Sequence, residues 1–132
     1  MRCRQSDLGA CAAASSRGQI GGRDPLLAGG FTADGRTTPT ATRLEGLLAA
    51  LQFIGPDRPE LRKRIESSVY RGIPFLLRAQ VRDGDFAGGF TRAVVVPTGR
   101  DGVAPGRATE VRIDYVQHAM CALIEYERIL KK

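Results

Sequence analysis

An all-α fold is the class this sequence predicts: about three helices joined by long Gly-rich loops. Two observations carry it. Apolar residues recur at helical spacing in three separate stretches, and Gly and Pro cluster between them. A third adds organisation, because the same order of unlike residues occurs twice. Gln19, Gly29-Gly30-Phe31 and Arg43-Leu44-Glu45 are followed by Gln80, Gly88-Gly89-Phe90 and Arg112-Ile113-Asp114, each set leading into an apolar helix. Self-similarity at this period suggests stacked helical hairpins, each too small to bury its own face.

Residues 1–28 are rich in Ala, Ser, Gly and Arg and show no sustained period. Residues 8–14 can make a helical turn, but Gly18, Gly21, Gly22 and Pro25 break any continuation of it. The segment reads as a poorly ordered lead-in to a helical hairpin domain at 29–132, with units at 29–87 and 88–132. The first helix reads from TRLEGLLAALQFI. Leu44, Leu47, Leu48, Leu51 and Ile54 share one face. Thr40 or Thr42 is the expected cap, with Glu45 three residues after Thr42 as in a capping box, and Gly55-Pro56 ends the helix.

The second helix is expected from Asp57 or Pro59, since proline is tolerated in the first turn. Leu61, Ile65, Ser68/Val69, Gly72/Ile73, Leu76 and Ala79/Gln80 carry its apolar stripe. Pro74 lacks a backbone donor and predicts a kink near Gly72-Ile73-Pro74. RDGD at Arg82 to Asp85 is turn chemistry. Val94 to Val96 can form a short extended piece, with loop on both sides. The third helix is expected from Thr109 to about Leu130, burying Val116, Ala119, Met120, Leu123, Ile124 and Leu130.

Composition narrows the function classes. The 132 residues fit one domain at most, and the net charge of +6 is carried almost entirely by Arg. These Arg residues are interspersed with Asp and Glu and form no basic stripe with interleaved aromatics, so no nucleic-acid partner is expected. Cys3, Cys11 and Cys121 are odd in number and irregular in spacing, which points to reduced thiols and a cytoplasmic protein. No apolar run reaches the roughly 18 residues of a membrane span. Leu8-Gly9-Ala10-Cys11 looks like a lipoprotein cleavage site but lacks the preceding apolar segment.

The stretch RGIPFLLRAQVRDGDFAGGF, Arg71 to Phe90, resembles the Gln-and-aromatic repeat of terpenoid cyclases and protein prenyltransferases. Arg71-Gly72, Phe75-Leu76, Gln80, Gly88-Gly89 and Phe90 fill its places; Phe90 stands where that repeat usually has Trp, and the Gln-to-aromatic spacing is longer. The resemblance implies helical hairpins of an α/α toroid, with inner and outer helices around a cavity and Gln80 in a structural, connecting role. A whole toroid needs about a dozen helices. The expectation is therefore self-association or a longer parent chain.

Candidate chemistry comes from the recurring Arg-apolar-acid sets. Arg43, Arg112, Tyr115 and Gln117 are expected to bind a small-molecule ligand of carbohydrate or isoprenoid-like type. Glu45, Asp114 and His118 are the candidate catalytic groups, with carboxylates in general acid or base roles. The same acids also suit their own helix N-termini. The Asp-rich motif of terpenoid cyclases is missing, since Asp83 and Asp85 sit in a turn. Asp114, His118 and Cys121 share a helix face, yet the prenyltransferase zinc pattern is absent, and neither metal nor cofactor is expected. Ser67-Ser68 has no partnering base, and neither Gly-Gly pair is followed by the Lys-Ser/Thr of a phosphate loop. The alternative is a non-catalytic helical repeat module that binds a partner protein.

Overall fold

The computed structural model describes residues 18–21, 24–94 and 105–131. Three helices carry the fold: α1 (Thr37–Leu51), α2 (Pro59–Arg78) and α3 (Ile113–Leu130). A single helical turn at Pro105–Ala108 precedes α3. Among the described residues there is no strand, only isolated antiparallel bridges pairing Arg36 with Ala93, Gln80 with Phe90 and Thr91 with Val111. The fold is all-α. The turn expected at 8–14 lies outside the described residues, as do Val95 and Val96.

α1 is the central element and packs along both α2 and α3. Its Leu44, Leu47 and Leu48 are fully buried and Leu51 nearly so. They meet Ile65, Val69, Ile73, Phe75 and Leu76 of α2 in one core. The α1–α2 crossing is close because α2 presents Gly72 there: a Cβ at that position would stand 2.5 Å from Leu44 Cδ2. α2 and α3 meet edge to face through Tyr70 and Tyr126, with 6.0 Å between ring centroids.

The expected start of α1 is corrected. The helix begins at Thr37, not beyond Thr42, with Arg36 as N-cap and no side-chain cap. Pro39 is tolerated in a first turn, and the Thr37 N–H donates to Arg92 O at 2.8 Å, a partner supplied from far along the chain. Thr40 and Thr42 are therefore inside the helix. Thr40 Oγ1 accepts from Phe31 N–H at 3.1 Å and donates to Arg36 O, while Thr42 donates back to Thr38 O at 3.0 Å. At its other end, α1 is closed by Arg62 of α2, whose Nη2 donates to Leu51 O at 3.0 Å and Ile54 O at 3.2 Å. Those carbonyls have no intrahelical donor, so a cation is favoured there.

α2 starts at Pro59 and runs unbroken through Pro74 to Arg78. Pro74 is exposed, so its side of the helix faces water, which can serve the freed carbonyl. α3 begins at Ile113 rather than Thr109, because Glu110 O and Val111 are occupied in pairing with the chain at Arg92 and Thr91. Its buried side is also corrected. Tyr115, Ala119 and Ala122 are buried, while Met120, Ile124 and Leu130 are exposed. The helix is apolar on two sides, and the other described residues cover only one of them.

The two connectors that precede α1 and α3 have one geometry. In the first, Ile20 N–H donates to Gly30 O, Gly29 N–H to Ile20 O, and Gly30 N–H to Leu27 O, at 2.8, 3.0 and 2.9 Å. In the second, Val81 donates to Gly89 O, Gly88 to Val81 O, and Gly89 to Phe86 O, at 2.9, 2.8 and 2.9 Å. Gly29 and Gly88 both have φ of 88°, where a side chain is strained. Each connector ends in a buried phenylalanine, Phe31 or Phe90. The boundary expected between residues 28 and 29 passes through the first of these turns, which the Ile20 bonds hold as one unit.

Candidate functional site

The polar chemistry gathers where α1 and α3 lie side by side. On α1 and its C-cap, Thr38, Glu45 and Gln52 recur every seven residues and share one stripe. Glu45 Oε1 stands 3.1 Å from His118 Nδ1 on α3. One helical repeat further on, Gln52 Nε2 donates to Glu125 Oε2 at 3.4 Å. Both links span the same 73 positions of sequence, so α1 and α3 run parallel in constant register over this length. Glu45 and His118 are each about one-third exposed.

This pair has a defined chemistry. A carboxylate only accepts hydrogen bonds. Contact with Glu45 therefore puts a proton on His118 Nδ1 and orients the ring. In the neutral imidazole, Nε2 is left as an acceptor for a hydroxyl or a proton. Asp114 lies one turn before His118 on the same side of α3. Its Oδ1 is 3.2 Å from Arg112 Nε but off the line of a hydrogen bond, so it is an ion-pair contact with an acceptor to spare. Asp114 also complements the N-terminus of α3.

The remaining candidates are dispersed. Arg43 and Glu45 are two residues apart on a helix and do not face each other. Arg43 instead lies over the Phe31 ring at 5.0 Å, a cation–π contact on the far side of α1 from His118. Arg112 similarly covers Tyr115, 5.6 Å from its ring centre. Tyr115 is buried, and its hydroxyl donates to Glu110 Oε2 at 3.3 Å. Gln117 is exposed. The structure thus brings Glu45 and His118 together, sets Asp114 beside them, and gives Arg43, Arg112 and Tyr115 packing contacts.

No family model, curated protein or solved structure matches the chain. Among the described residues, no three of His, Cys, Asp and Glu are placed to hold a metal ion, and no helix is long and apolar enough to cross a membrane. Sequence reading missed two partners of the stripe, Gln52 and Glu125. Their seven-residue spacing from Glu45 and His118 is visible in the sequence, but only the parallel packing of α1 and α3 gives it meaning. An apolar cleft lies elsewhere, between Leu48, Leu51, Val69, Tyr70, Tyr126 and Ile129.

Proposed function

We propose that this chain is a helical-repeat portion of an α/α-toroid protein, and that the Glu45–His118 side of α1 and α3 is its ligand-facing surface. The observation that carries the reading is the 3.1 Å Glu45–His118 contact between parallel neighbouring helices, each introduced by the same Gly-Gly-Phe connector. A parallel pair of this kind is what two inner helices of a toroid present to its cavity. The ligand class is a carbohydrate or other polyhydroxyl compound. His118 Nε2 offers an acceptor for a hydroxyl, and the stripe around it is built from the polar side chains of Glu45, Gln52 and Glu125.

The test is an NMR titration of the full chain with cellotriose, maltotriose and xylotriose. The expected outcome is a saturable shift of the Glu45, Asp114 and His118 resonances with at least one sugar, weakened about tenfold in Glu45→Gln. Absence of any shift, or one that Glu45→Gln and His118→Ala leave intact, overturns the reading. A second reading, a helical module that binds a partner protein, is favoured by the uncovered apolar side of α3.

A further inference from the structure

α3 has more apolar surface than the other described residues cover. At about 100° per residue, its apolar residues run from Ala122 and Tyr115 through Leu123 and Val116 to Met120, Ile113 and Ile124, roughly 200° of its circumference, with Glu127, paired with Lys131, the one charged residue of the helix in that arc. A helix at a protein surface ordinarily needs an apolar stripe about half that wide. The near part of the arc is buried against α1 and Phe90. The far part is open, with Ile113 at 81% exposure and Met120 and Ile124 at about 40%.

The first half of the molecule shows what covers such a face. α2 lies on α1 and on the first connector. Gln19 Nε2 donates to Ser68 O of α2 at 2.8 Å. Gly29 stands so close to α2 that a Cβ there would fall 1.9 Å from Arg71 O. Leu44 meets α2 at Gly72. Among the described residues, the second half repeats every part but the covering helix. Gly88 has the same φ as Gly29, yet a Cβ on it would meet nothing within 4 Å. Among the described residues, the Gln80 amide has no hydrogen-bond partner, and its N–H bonds locally to Leu77 O. Counted from the helix starts, Met120 and Ile124 match Leu44 and Leu48, which corrects the expected match of Arg43-Leu44-Glu45 with Arg112-Ile113-Asp114: the first set lies in the second and third turns of α1, and the second opens α3.

We propose that the open face of α3, with Gly88 and Gln80 of the second connector, is the seat of an amphipathic helix of the α2 type. That helix presents an apolar stripe with the spacing of Ile65, Val69, Ile73 and Leu76, and a small residue like Gly72 where it crosses Met120. Gln80 bonds to one of its backbone carbonyls, as Gln19 does on α2. The inference extends the partner-binding reading and does not depend on what the polar stripe binds.

The probe is a fluorescent peptide of residues 57–80, titrated into the full chain and followed by anisotropy. The expected result is one-to-one binding, weakened about tenfold or more by Ile124→Glu and also by Gly88→Ala, with thermal melts showing that both variants stay folded. Binding that neither change weakens means the peptide has exchanged with α2 on α1, and overturns the proposal. So does an absence of binding. Light scattering separates the remaining case. A dimer that Ile124→Glu dissociates, and that the peptide does not disrupt, makes the occupant a second copy, which overturns the helix proposal while leaving the partner-binding reading in place.

Discussion

Gly29 and Gly88 share a backbone angle and a hydrogen-bond pattern but not a neighbourhood. That difference sets up a residue-scale test. Alanine at either site must adopt a left-handed φ, which costs about 1–2 kcal/mol. At Gly29 the new Cβ also collides with Arg71 O, a backbone atom that cannot swing away, and such overpacking adds about 1–3 kcal/mol. Gly29→Ala should therefore lower the unfolding free energy by roughly twice as much as Gly88→Ala, read from chemical denaturation of the two variants. Equal losses would mean that the first connector does not rest on α2. Arg43 and Glu45 diverge in a similar way. Close neighbours in sequence, they serve opposite sides of α1, one on Phe31 and one on His118.

Among the elements, the joint between α1 and α2 depends on a residue that hydrophobic periodicity does not reveal. Arg62 donates to two carbonyls at the end of α1 and pairs with Glu66 at 3.5 Å on its own helix. The half-exposed ion pair contributes little. The bonds to otherwise unpaired carbonyls matter more, and Arg62→Ala should cost about 1 kcal/mol. Glu66→Ala should cost only a few tenths. Denaturant midpoints of the two variants test this order, and a larger loss for Glu66→Ala would assign the joint to the ion pair instead. α2 also shows why Pro74 does not divide it. The stripe from Ile65 to Leu76 continues across the proline, and its burial against α1 outweighs one missing backbone bond.

At the scale of the molecule, α2 and α3 are joined by the edge-to-face contact of Tyr70 and Tyr126. Burial pushes the Tyr126 phenol above its usual range, and the nearby Tyr70 adds to the shift. An acid whose folded pKa exceeds its unfolded value, about 10 for tyrosine, contributes full stability below that value. The contribution is lost as pH rises through the folded pKa. Melting temperature should accordingly fall above about pH 10, and fall less steeply in Tyr126→Phe. An identical alkaline decline in both proteins would show that the contact does not respond to ionisation. Part of the positive charge is taken up within the molecule: Arg62, Arg78, Arg112 and Arg128 are each engaged with carbonyls, rings or carboxylates.

Much of the architecture was legible from local pattern alone. The spacing of Leu44, Leu47, Leu48 and Leu51 determines a helix face because burial follows a 3.6-residue period. Gly29 and Gly88 determine tight turns because only glycine adopts that φ freely. What the tertiary structure decided depends on partners distant in sequence. α1 starts at Thr37 because Arg92 supplies an acceptor for its first N–H. Glu45 leaves the expected capping role because that early start puts it in the third turn of α1, where it meets His118, 73 positions away. Met120 and Ile124 have the same apolar character as Leu123, yet they stand exposed, because periodicity marks an apolar side and only packing determines whether anything lies against it.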